Sequence, residues 1–112
     1  MKRTSVVVAG ILFGITVGTS SATAGTTEMP EVAKKHNCNA CHTVEISDKP
    51  MPGPAWKDVA LKYQKDPLAK VKIVAQISKG GNANGRHGNM PAFSNLDKNE
   101  LDMIVAFIMG LK

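Results

Sequence analysis

Apolar positions recur at helical intervals in four places along the chain, and nothing in the pattern calls for a sheet. The first run, residues 27–36, sets Glu28 and Glu31 early and Lys34 and Lys35 late, the order that complements a helix dipole. A second helix is predicted in PAWKDVALKYQK, residues 54–65. Pro54 suits its first turn, and Trp56, Val59, Ala60 and Tyr63 share one face. A third starts after Asp66, read as an N-cap with Pro67 first in the helix, and turns Leu68, Val71, Val74, Ala75 and Ile77 to one side. Its β-branched residues leave a strand reading open, although Gly80-Gly81 stops it as a helix is stopped. The last run pairs Asp97 with Glu100 at capping-box spacing and continues through Leu101, Ile104, Val105 and Ile108.

Two stretches between these runs are unlike ordinary connectors. SDKPMPGPA, residues 47–55, holds three prolines and a glycine, so its backbone is stiff and non-helical. KGGNANGRHGNMPAF, residues 79–93, is rich in glycine and asparagine, lacks apolar periodicity and exceeds the usual length of structureless loops in compact domains. Such a loop is either disordered or wrapped around something.

The N-terminus changes the length to be explained. Lys2 and Arg3 precede an apolar run over residues 6–17, which falls short of the roughly 20 residues of a spanning helix, and Ala22-Thr23-Ala24 has the small-x-small form of a signal-peptidase site. Residues 1–24 are therefore expected to be a cleaved secretory signal, the alternative being an uncleaved membrane anchor, and residues 25–112 one small domain folding outside the cytoplasm. Without Lys2 and Arg3 the 14 Lys+Arg become 12 against 9 Asp+Glu, and the net charge drops from +5 to +3. The lysines are scattered rather than clustered, which reads as solvated helix faces or as a surface that steers an acidic partner. An exported chain with one Trp, one Tyr and no basic-aromatic interleaving does not fit nucleic acid.

The candidate chemistry lies in HNCNACHTV, residues 36–44, which contains both cysteines of the chain. A Cys38–Cys41 disulfide would close a tiny ring and staple almost nothing. A redox dithiol wants a C-x-x-C beside a βαβ sheet, for which no strands are evident. Zinc needs four ligands, and beyond the motif only His36 and His87 are good donors. Cys38-x-x-Cys41-His42 is also the attachment signature of a c-type haem: two thiols add to the haem vinyl groups and the adjacent imidazole reaches the iron. That reading is favoured, because a large apolar disc bonded at two points supplies core that a short chain lacks and gives the long loop something to wrap. The second axial ligand is then expected from that loop. Met90 stands after glycines and before Pro91, on backbone able to approach closely and then be held. His87 is its rival. Met29, Met51, Met103 and Met109 read as core fillers, and His36 as a surface residue.

As a set, EVAKKHNCNACHTV, GPAWKDVALKY, ISKGG leading to NMPAF, and the closing amphipathic helix resemble the small soluble monohaem class I cytochromes c of bacterial respiratory chains. The resemblance covers most of residues 25–112. It implies an all-α cytochrome c fold, about four short helices around one covalently attached haem, with the first and last helices crossing and one haem edge exposed. Carried over by residue, Cys38 and Cys41 hold the thioethers, His42 is the proximal and Met90 the distal iron ligand, and Pro54 offers its carbonyl to the other ring N–H of His42. Relatives commonly have a tryptophan in the loop before the distal Met that bonds a haem propionate. Here Gly85-Arg86-His87 stands in that region, and Arg86 is the candidate replacement. Nor does an Asn follow Met90-Pro91-Ala92-Phe93, as it often does in relatives, so a redox potential does not transfer.

The implied function is that of a periplasmic one-electron carrier, not an enzyme, monomeric, with haem c and iron as cofactors. It would dock on redox proteins through a lysine-surrounded haem edge and would not insert in the membrane after signal cleavage. The alternative is a haem enzyme or gas-binding protein with a labile or absent sixth ligand.

Overall fold

The structure is a computed structural model in which residues 27–82 and 88–112, with Gly14 and Gly18, are described. The described residues contain four α-helices: α1 (Glu31–Lys35), α2 (Trp56–Tyr63), α3 (Ala69–Lys79) and α4 (Lys98–Met109), with a short 3-10 turn at Cys38–Ala40. Among the described residues there is no strand, only an isolated antiparallel bridge between Gly81 and Met90.

The elements start where backbone chemistry lets them. α1 is shorter than its charge pattern predicts because Pro30, in extended conformation, is its N-cap, and a proline disfavours helix in the residue before it. Asn37 then adopts a left-handed φ of 58°, which an asparagine tolerates, and turns the chain into the cysteine motif. α2 begins at Trp56, so Pro54 lies ahead of the helix rather than in its first turn. Asp66 accepts a hydrogen bond from the Leu68 amide at 2.8 Å and shapes a turn, which delays α3 to Ala69. α3 is helical throughout, and the strand reading falls. Asp97 caps α4 by accepting from the Glu100 amide at 2.9 Å, as the spacing predicts.

α4 is the centre of the packing and contacts each of the other helices. Its Ile104, Val105 and Ile108 are buried together with Ala33 of α1, Trp56 of α2, and Ile73 and Ile77 of α3. Burying each such aliphatic side chain stabilises the fold by about 1.5–3 kcal/mol. The expected face of α3 is only partly the inward one: Ile77 is buried and Val74 packs against the core, but Leu68 and Val71 are exposed, and Ala69 and Ile73 are buried in their place. Of the methionines read as core fillers, Met29 is buried but Met103 and Met109 lie on the outer side of α4. His36 is not a free surface residue either. Its Nε2 is 2.9 Å from Glu100 Oε2, while Lys35 Nζ donates to Glu100 Oε1 at 2.5 Å, so the end of α1 is tied to the start of α4.

Candidate functional site

Helices α2, α3 and α4 and the cysteine segment enclose a cavity of about 660 Å³, within the roughly 300–1,000 Å³ common for cofactor sites. Trp56, Ile73, Ile77, Ile104 and Ile108 supply its apolar wall, and Cys38, Cys41, His42 and Met90 all line it. Residues 48 positions apart in the chain thus meet at one hollow.

The cysteine segment is held by backbone bonds at both ends. The 3-10 turn is closed by the Cys41 and His42 amides donating to the Cys38 carbonyl at 3.2 and 2.9 Å. Downstream, the Gly53, Trp56 and Lys57 amides donate to the carbonyls of Cys41, Thr43 and Val44 at 2.8, 2.8 and 3.1 Å. These bonds bring the stiff proline segment across the imidazole. His42 Nδ1 lies 2.7 Å from the Pro54 carbonyl oxygen. A carbonyl only accepts, so Nδ1–H is the donor and, in the neutral ring, Nε2 carries the lone pair a metal needs. Trp56 supports the ring from another side, its centroid 6.1 Å from that of His42 and in turn edge-on to Phe107 at 5.8 Å.

Two glycines allow these approaches, and sequence reasoning used neither in that way. A Cβ on Gly53 would stand 2.5 Å from His42 Cε1 and 2.8 Å from Nδ1. Gly80, at φ +67°, would press a Cβ into the Met90 carbonyl and to 2.8 Å from Ala92 N and Pro91 C. Their positions, before Pro54 and at the end of α3, were the available signal. Met90 itself is bridged to Gly81 by N–H···O bonds of 3.0 and 2.8 Å, and the Phe93 amide donates to the Ile77 carbonyl at 3.0 Å.

The competing readings of the motif find less support. Cys38 and Cys41 are not joined in a disulfide, and burial pushes the Cys38 thiol up, away from the thiolate a reactive dithiol requires. Among the described residues no group of three or more His, Cys, Asp or Glu is placed to hold a metal, and His36 is engaged by Glu100. Arg86 and His87 lie outside the described residues, as does the expected signal sequence apart from Gly14 and Gly18. Among the described residues Lys34, Lys35, Lys57, Lys70, Lys72 and Lys98 are each in ion pairs with carboxylates, and Lys62 lines the cavity, its ammonium 5.1 Å from the centre of the Tyr63 ring.

The family model for cytochrome c matches residues 28–112. The chain belongs to the cytochrome c family. It is 36% identical over 80 residues to cytochrome c-551 of Allochromatium vinosum, covering 71% of this chain and 82% of that one. Cytochrome c-552 of Nitrosomonas europaea is 39% identical over 84 residues, covering 73% of this chain and 77% of the relative. The crystal structure of wild-type Nitrosomonas europaea cytochrome c552 superposes with a TM-score of 0.64 at 32% identity, covering 73% of this chain and 98% of that one. The all-α arrangement is thus the cytochrome c fold, and the chain, like its family, carries one covalently attached haem c with iron and transfers electrons through it rather than acting as an enzyme. The donor set fits that group: two thiols, an imidazole of defined tautomer and a thioether around an apolar hollow.

Proposed function

We propose that this cytochrome c is a one-electron carrier with His/Met axial ligation, exported to the periplasm after cleavage behind Ala24. Cys38 and Cys41 hold the haem as thioethers, His42 Nε2 is the proximal ligand and Met90 sulfur the distal one. The observation that carries the reading is the 2.7 Å bond from His42 Nδ1–H to the Pro54 carbonyl, made in a cavity that Met90 also lines. It fixes the imidazole tautomer and raises its basicity as a ligand. The bound group supplies a single-electron Fe(II)/Fe(III) couple, whose potential a thioether ligand raises relative to a second imidazole.

The protein's own residues do the rest. Trp56 and the isoleucines of α3 and α4 keep water from the hollow, and the two glycines let both ligand segments close on it. With His42 and Met90 both holding the iron, the site would leave no coordination place for a substrate. Arg86 is the proposed propionate contact. Redox proteins dock at the cavity mouth, where Lys62 and Lys79, the latter beside Gly80-Gly81, make association fall with ionic strength. Among the described residues no helix is long and apolar enough to cross a membrane.

The optical spectrum of the oxidised protein tests this. The weak long-wavelength Met-to-iron charge-transfer band is expected and should vanish in Met90→Ala. A wild-type protein that lacks the band and binds carbon monoxide readily when reduced would instead be a gas-binding protein or haem enzyme.

A further inference from the structure

We infer that Gln76 is a positioning residue for the distal segment: its side-chain amide braces a two-glycine hinge and so sets how readily Met90 leaves the metal. Gln76 stands in the last turns of α3 among cavity-lining residues, between Ile73 and Ile77. Its Nε2–H donates to the Gly81 carbonyl at 3.1 Å, and that same oxygen accepts the Met90 amide at 3.0 Å. The bridge holding Met90 is therefore bonded directly to a helix side chain.

The brace matters because of what it spans. Between α3 and the bridge the chain runs through Gly80 at φ +67° and Gly81 at φ +104°, successive residues with no side chain to restrict them. Gly80 must be glycine for Met90 to come close, so the close approach brings a pliant link with it. The Phe93 amide on the Ile77 carbonyl holds the far end of the distal segment, three residues beyond Met90. At the near end, the Gln76 bond is a side-chain tie across the hinge, beside the backbone bond from the Gly88 amide to the Pro52 carbonyl at 3.2 Å. Without the Gln76 bond the Gly81–Met90 bridge keeps its internal bonds but turns more freely on the two glycines.

This rests on Met90 being the distal ligand, and the test separates the two. In the haem-loaded protein, Gln76→Met keeps side-chain length and removes the donor, while Gln76→Lys keeps a donor. Amide hydrogen exchange at Gly81 and Met90 reads the hinge without reference to ligation. The rate at which saturating imidazole replaces the native ligand of the oxidised protein reads departure of Met90. Gln76→Met is expected to speed both by roughly two- to tenfold, the range for loss of one hydrogen bond, with α3 amides unchanged and Gln76→Lys within about twofold of wild type. Unchanged exchange at Gly81 and Met90 in Gln76→Met overturns the brace, and so does acceleration shared equally by α3. If the wild-type charge-transfer band is absent, the ligand-release half falls with the Met90 reading, and the exchange data alone decide the brace.

Discussion

Replacing Gly53 by alanine adds one methyl group at the point where the proline segment crosses His42. Gly53 carries no left-handed φ, so backbone strain contributes nothing and the effect is steric. The new Cβ would lie 2.5 Å from His42 Cε1, 2.8 Å from Nδ1 and 3.0 Å from the Cys41 carbonyl oxygen. Carbon contacts are optimal at roughly 3.5–4.0 Å, so the imidazole or the 52–54 backbone must retreat by about 1 Å. Neither moves cheaply, because the Gly53 amide is bonded to the Cys41 carbonyl at 2.8 Å and the ring to Pro54 at 2.7 Å. Overpacking of this kind destabilises by about 1–3 kcal/mol, and a half-buried ring N–H left without its acceptor adds about 1 kcal/mol or more. A fall of about 2–4 kcal/mol in unfolding free energy is expected, read by denaturant titration of the haem-loaded protein. With His42 as the proposed iron ligand, the Pro54 bond would also favour the oxidised iron by making that ligand more basic, so its loss should raise the reduction potential. A differential interaction of about 1 kcal/mol corresponds to roughly 40 mV for one electron. Stability within about 0.5 kcal/mol of wild type, together with an unchanged potential, would refute the reasoning.

The other glycine predicts a different signature. Gly80→Ala meets both a left-handed φ and the Met90–Ala92 backbone, so it should weaken or abolish the charge-transfer band and leave the proximal side in place; retention of a normal band sinks this expectation. Ile104→Ala at the cavity wall should lower stability by about 2–5 kcal/mol in the same titration. Glu100 gives a pH dependence: the Lys35 ammonium, then the His36 ring, hold its carboxyl below the usual carboxylate range. Its contribution is therefore complete above the unfolded value of about 4.3 and lost as pH falls through the lower folded value. The stability gap between wild type and Glu100→Gln should shrink below about pH 4.3, and a gap constant from pH 6 to pH 3 would show that the bridge is not coupled to folding.

The capped and periodic parts of this fold were readable because the signals are local. Asp97 with Glu100 locates α4, and Ile104, Val105 and Ile108 lie inside, as their spacing implies. Local signals failed where a neighbour decides. In α3 the expected face carried Leu68, Val71, Val74, Ala75 and Ile77, of which Ile77 is buried and Val74 packs on the core, but Ala69 and Ile73 take the inner places expected of Leu68 and Val71, since several apolar stripes were available and packing selected among them. Met103 and Met109 show the same ambiguity on a helix apolar nearly all round. His36 looked like a lone surface histidine because its partner, Glu100, is 64 positions away. The site divides in the same way. Cys38, Cys41 and His42 are legible as a motif, whereas Gly53, Gly80 and Gln76 act through approaches that only the folded chain reveals.

That division has a mechanical consequence. The proximal half is assembled from residues 38–57, closed by short-range bonds and covered by buried Trp56, so its geometry needs little help from the rest of the chain. The distal half hangs on a loop by the Gly81–Met90 bridge, the Phe93 amide, the Gly88 amide on the Pro52 carbonyl and the Gln76 brace, most of them at exposed backbone. Exposed bonds beside paired glycines open at lower free energy than bonds under a core. Under mild denaturant the His42 side should therefore persist after the Met90 side has let go. For the proposed His/Met-ligated carrier this order is useful: outer-sphere transfer is fastest when the same ligands are kept in both oxidation states, and α4, touching α1, α2 and α3, ties the rigid half to the bulk of the core. Gln76, which keeps the looser half in register from outside its backbone, is consequently the residue whose substitution should alter ligand exchange most for the least change in global stability.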